Sequence, residues 1–157
     1  MLEHADDTTL RWTRLFTQTG HSHQHRQSTL QGAVDAIRQT GATSQYILLS
    51  GKDFTQAQTY TGPNGSGNGD TGSSILDVQD RDGTKKKLII DVHQYLDRDY
   101  SGKNRHCNTD AVSGTFGLQS LATWLSQNGR QAFLSETGGG NTASCVNYLK
   151  QELGFLK

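Results

Sequence analysis

The run Leu88-Ile89-Ile90-Asp91-Val92 constrains the fold most. It is apolar and largely β-branched on consecutive positions, with no apolar/polar alternation. A strand with one wet face alternates. A strand covered on both faces does not, and such strands belong to parallel sheets flanked by helices. Two further runs are read the same way: Tyr46-Ile47-Leu48-Leu49, ending at Ser50-Gly51, and Gln131-Ala132-Phe133-Leu134-Ser135. Between and around them the apolar period changes to that of a helix. Leu118, Leu121, Trp124 and Leu125 precede a stop at Gly129, and Val146, Leu149, Leu153 and Leu156 follow a capping residue, Thr142. Upstream, Ser28 reads as a helix N-cap with Gln31 at the reciprocal position, followed by Leu30, Ala33, Val34 and Ile37 and a stop at Gly41. The expected order is helix, strand, long loop, strand, helix, strand, helix, which is an α/β fold with parallel strands.

Residues 1–27 are polar, carry His21, His23 and His25 and show no clean period, so they form a poorly defined N-terminal segment before a domain at 28–157. Residues 51–86 read as a long polar connection whose tip, Gly62 to Gly69, is a flexible loop; Ile75 to Val78 within it suits a turn of helix or a short strand. Only 32% of the chain is hydrophobic and 18 residues are glycine, so the core is small for 157 residues. Fifteen basic and fifteen acidic side chains give zero formal charge. That balance does not draw the chain to nucleic acid or an anionic membrane, and it suits a neutral polymer. No apolar run reaches the ~20 residues of a membrane span. Met1 to Asp7 has neither the basic start nor the apolar stretch of a signal peptide. Cys107 and Cys145 can form one bridge or remain two buried thiols.

In parallel α/β folds the chemistry gathers at the C-terminal ends of the strands. Three such ends carry polar residues: Ser50 to Phe54, His93 to Asp97, and Glu136 to Asn141. A carboxylate at a strand end can be a nucleophile, a general base or a metal ligand, and a His and a Tyr one strand away can orient it. The glycines after Glu136 are expected to clear space for a bulky substrate. Phe54 is a candidate aromatic contact for a substrate. Asp97-Arg98-Asp99-Tyr100-Ser101-Gly102 mimics half a calcium loop but has Asn108 where the closing glutamate belongs, and Gly138-Gly139-Gly140 lacks the lysine of a phosphate loop. Neither is expected to bind its ion.

The segments Leu88 to Asp97, Asp99 to Gly102, Leu121 to Leu125 and Gln131 to Asn141 closely resemble the sixth strand, sixth helix and seventh strand of fungal family 5 glycoside hydrolases; Ala36 to Gln45 resembles the end of the fourth helix. The resemblance runs in unbroken order from about residue 28 to 157. It implies a partial (β/α)8 barrel of about three βα units, against the roughly 250 residues of a complete barrel. It implies a secreted, monomeric endo-β-1,4-glucanase acting on cellulose or a related β-glucan, with retention and no cofactor or metal. It also implies Glu136 as nucleophile, His93 and Tyr95 as its supports, and a Cys107–Cys145 disulfide. In that family a second glutamate, in an Asn-Glu-Pro sequence, acts as acid/base roughly 5 Å from the nucleophile. No Asn-Glu-Pro occurs in the chain, and Glu3 lacks those neighbours. The alternative is therefore an inactive fragment of such an enzyme that at most binds carbohydrate weakly.

Overall fold

The computed structural model describes residues 12–15, 23–62, 65, 67–107, 111–114 and 117–157. Glu3, His21 and Asn108 lie outside them. Four strands form one sheet in chain order: β1 (Trp12–Leu15), β2 (Tyr46–Leu49), β3 (Leu88–Tyr95) and β4 (Gln131–Gly138). Every neighbouring pair is parallel. Helices α1 (His23–Gln39), α2 (Asp70–Ile75), α3 (Leu118–Gln127) and α4 (Ala143–Phe155) fill the connections and the C-terminus. Consecutive parallel strands joined by helical crossovers form an arc of a (β/α)8 barrel. The three strands read from the sequence are present, and β1 extends the sheet beyond β2. Nothing in the polar sequence around Trp12–Leu15 announces a strand; pairing with Tyr46–Leu49 defines it.

The sheet's helix-facing side carries the main core. Ile47, Leu49, Leu88, Ile90 and Val92 are buried against Leu30 and Val34 of α1 and Leu121 and Trp124 of α3. Helix α1 begins five residues before the expected cap. Ser28 lies inside it, where its hydroxyl donates to the Gln24 carbonyl at 2.9 Å. That is the back-bond of a mid-helix serine, not a cap. Gln31 reaches across instead, donating to the Gln79 carbonyl and accepting from the Gln79 amide. Arg38, also buried, forks onto Asp80 at 2.7–3.1 Å and donates to the Ala42 carbonyl.

The connection from 51 to 86 is less of a loop than its polarity suggests. Besides α2 it holds short helical turns at Asp53–Thr55 and Ala57–Thr59. It contributes Ala57, Tyr60, Ile75 and Val78 to the core. Tyr60 packs against Trp124 with ring centroids 6.1 Å apart, and the Trp124 indole donates to Asn68 at 2.7 Å. Buried Arg130, just before β4, donates to the carbonyls of Ile75, Leu76 and Val78 at the end of α2. A second cluster gathers Leu96, Cys107, Ala111 and Cys145, with Cys107 and Cys145 disulfide-bonded. Thr142 caps α4, its hydroxyl accepting from the Cys145 amide.

Candidate active site

The side of the sheet facing away from the helices is polar at the C-terminal strand ends. On β3, alternation puts Ile90, Val92 and Gln94 toward the helices and Asp91, His93 and Tyr95 on the opposite face. On β4 the same alternation would send Glu136 the wrong way. Val92 pairs with Leu134, so in an unbroken ladder Ser135 would oppose His93 and Glu136 would point at the helices. The register shifts here, and His93 pairs with Glu136 instead. The extra residue is a β-bulge, which re-aims a side chain by one position. Ser135 and Glu136 consequently both serve the polar face, while Thr137 turns outward to donate to Glu152 of α4.

The bulge brings three groups together. His93 Nδ1 lies 3.2 Å from Glu136 Oε2, and the Tyr95 hydroxyl donates to the same oxygen at 3.3 Å. The Glu136 side chain is 40% exposed, whereas that of His93 is 10% exposed. The carboxylate is therefore reachable while its orienting partner is fixed. Burial first, then the charge of Glu136, raise the Tyr95 phenol above its ordinary value, so it stays a proton donor. Beneath His93 sits Asp91, fully buried. It accepts from Ser135 Oγ at 2.5 Å and Ser50 Oγ at 2.7 Å, and its Oδ2 lies 3.9 Å from His93 Nε2. Ser50 opens one of the polar strand ends, whereas the sequence does not mark Asp91 or Ser135 as a site residue. The one available signal is the acid interrupting the apolar run of β3.

A cleft of about 420 Å³ opens over Glu136, lined by Phe54, Gln56, His93, Tyr95, Tyr100, Ser101, Lys103 and Glu136. Asp53, Phe54 and Thr55 all have left-handed φ, between 50° and 58°. Such a run of non-glycine residues is strained and persists only where the surroundings enforce it. Thr55 supplies that hold by donating to the Asp91 carbonyl at 2.6 Å, and Gln56 bridges to His93. Phe54 is left 85% exposed on the cleft wall.

The opposite wall is the loop after β3. Asp97 organises it, accepting from the amides of Gly102 and Asn104, the Asn104 side chain and the Ser101 hydroxyl. Burial opposes its charge, but these four donors prevail and hold the carboxyl down to about 2. Gly102 lies against Tyr95: a Cβ there would come 2.8 Å from the ring. Two of the glycines after Glu136, Gly139 and Gly140, are taken up by packing and not by space for a substrate, contrary to the expectation from the sequence. A Cβ at Gly139 would meet Cys107 Sγ at 2.3 Å, and one at Gly140 would meet the Arg105 carbonyl at 2.0 Å. They admit the disulfide-bonded loop.

Residues 3–157 match the family described as Cellulase (glycosyl hydrolase family 5). The chain belongs to that family. It is 44% identical over 129 residues to Endoglucanase EG-II of Hypocrea jecorina, covering 82% of this chain and 29% of that protein. Over 131 residues it is 46% identical to a protein of Phanerodontia chrysosporium named Manganese dependent endoglucanase Eg5A, covering 83% and 31%. The crystal structure of Cel5A (EG2) from Hypocrea jecorina superposes with a TM-score of 0.78 at 38% identity, covering 89% of this chain and 40% of that one. The family 5 chain thus spans about a third of the length of the curated relatives it matches. Among its described residues, no group of three or more His, Cys, Asp or Glu side chains is arranged to hold a metal ion.

Proposed function

We propose that this chain acts as a retaining endo-β-1,4-glucanase on cellulose or a related β-glucan, with Glu136 as the nucleophile. The observation that carries the reading is Glu136 at the floor of the cleft, its Oε2 held by both His93 and Tyr95. Two close contacts on one carboxylate oxygen, one of them a phenol donor, fix the rotamer needed for in-line attack on an anomeric carbon. Attack forms the C1–O ester of a glycosyl-enzyme as the glycosidic bond breaks. The departing oxygen takes a proton from a general acid, and water then cleaves the ester, restoring the configuration at C1. Phe54 supplies an aromatic face on which a sugar ring can stack. The Cys107–Cys145 bridge suits an oxidising, extracellular setting.

A second reading has a specific observation behind it. Glu136 is the one carboxyl group among the described residues that line the cleft. Without a facing acid, the chain alone would form the ester from an activated glycoside and turn over natural glucan poorly or not at all. An activated 2-deoxy-2-fluoro-β-cellobioside separates the possibilities, because its leaving group needs little protonation. Mass spectrometry should find one added glycosyl group on Glu136, absent from Glu136→Gln. Labelling of another residue, or none, would end the nucleophile assignment. Labelling without hydrolysis of soluble β-glucan would mark a half-site.

A further inference from the structure

The loop that walls the Glu136 cleft has a second hollow beside it. Arg98, Asn104, Arg105 and His106 line a depression of about 300 Å³, room for one monosaccharide ring. Isolated exposed arginines are ordinary, but these differ in three respects. They converge on one concavity. Among the described residues, the side chains of Arg98, Arg105 and His106 have no hydrogen-bond or ion-pair partner. The loop's own acids do not neutralise them by contact either, because both are engaged elsewhere. Asp97 accepts from Gly102, Asn104 and Ser101, and Asp99 accepts from the Ser101 hydroxyl at 2.8 Å and Asn104 Nδ2 at 2.9 Å.

The backbone bearing these cations is also fixed. Cys107 is bonded to Cys145 of α4, and the Arg105 carbonyl sits against Gly140 and 3.6 Å from Cys145 Sγ. A site whose backbone is already ordered loses less entropy on binding. Arginine forks match planar carboxylates, with two parallel N–H donors on one group. The position of the hollow indicates where such a carboxylate would come from. Ser101 and Lys103 face the Glu136 cleft, while the next two residues, Asn104 and Arg105, face the hollow.

We propose that this hollow binds the carboxylate of a uronic acid unit borne on the glycan that enters the cleft, so that the chain prefers acidic over neutral β-linked saccharides. The inference rests on the reading of the cleft as a glycan site. Calorimetric titration of the full chain at low ionic strength, with cellobiose, cellobiouronic acid and sodium sulfate as separate probes, tests it. Cellobiouronic acid is expected to bind about tenfold tighter than cellobiose, as suits one charge-assisted pair. In R98Q/R105Q that preference should vanish while the affinity for cellobiose stays the same; both positions are exposed, so the fold, followed by circular dichroism, should be unchanged.

Equal affinities for the two disaccharides, a preference that survives in R98Q/R105Q, or sulfate binding as tightly as the uronate would each overturn the proposal. So would failure of every probe to bind, and labelling of Glu136 then reports separately on the cleft. Arginine-dependent binding of the uronate with none of cellobiose would keep the hollow and count against the neutral-glucan reading.

Discussion

Strands β3 and β4 lie side by side, are equally long and each deliver part of the site, yet their surroundings differ sharply. β3 is buried at every position but its last, whereas no residue of β4 is fully buried. β3 has a paired strand on each side; among the described residues β4 has one only on the β3 side. The nearly buried His93 comes from the strand locked by the core, and the accessible Glu136 comes from the edge strand, aimed by a bulge. An edge strand draws its geometry from its neighbour and its cross-links, so the two strands should respond differently to the same kind of change.

The largest effect is expected where the two halves are tied together. The Cys107–Cys145 bridge joins the loop after β3 to the helix after β4 across 38 residues. By loop-closure entropy such a bridge contributes about 4 kcal/mol. C107S/C145S should lower the urea midpoint accordingly and reduce labelling of Glu136, since Gly139 and Gly140 then lose the partner they pack on. An unchanged midpoint would show that β4 and α4 are held by packing alone. Next comes a matched pair of truncations. Ile90→Ala in β3 removes a fully buried side chain and should lose about 3 kcal/mol. Phe133→Ala in β4 removes one that is 48% exposed and should lose under about 1 kcal/mol. Equal losses in urea denaturation would erase the distinction between the strands.

What could be read in the sequence follows the same division. Leu88–Val92 declared itself because burial on both faces leaves an apolar run, and the helical periods of α3 and α4 were equally plain. The residues that meet at the site, His93, Tyr95 and Glu136, were visible as polar groups at strand ends. The bulge that turns Glu136 inward was not, because Ser135-Glu136 carries no local signal for it; only the register against Val92 and His93 does. Nor were the packed turns between 51 and 86, whose polar residues bond inward through Thr55 and Tyr60 to the Asp91 carbonyl. Strand β1 and the true start of α1 were missed for a related reason. They depend on pairing with β2 and, in the first turn of α1, on the bonds of Arg26 to Ser74 and the Asp70 carbonyl, far away in sequence.

The loop after β3 makes an acid-side prediction. The Asp97 carboxyl, held down to about 2, stabilises the fold fully above the unfolded value of about 3.9. That contribution is lost as pH falls through the window from about 4 to about 2. Asp97→Asn should therefore be less stable than the parent at pH 6, with the gap closing toward pH 2 in thermal melts. A gap independent of pH would mean that the loop is held by the shape of residue 97 rather than by its charge.

Glu152, behind β4, carries the opposite sign and the smallest effect. It is fully buried on α4 and accepts from Thr137, but its Oε1 has no hydrogen-bond partner among the described residues. Burial raises its carboxyl above the ordinary value, and the Thr137 bond only partly offsets this. A folded state that prefers the protonated acid has this stabilisation complete below the unfolded value of about 4.3 and loses it as pH rises above that point. Glu152→Gln keeps an oxygen to accept from Thr137 and removes the titration. It should leave stability near that of the parent at pH 4 and raise the melting temperature by a few degrees at pH 7. If Glu152→Gln instead destabilised the chain at neutral pH, the carboxylate would be answered by a partner, and the space behind β4 would be as well satisfied as the core around β3.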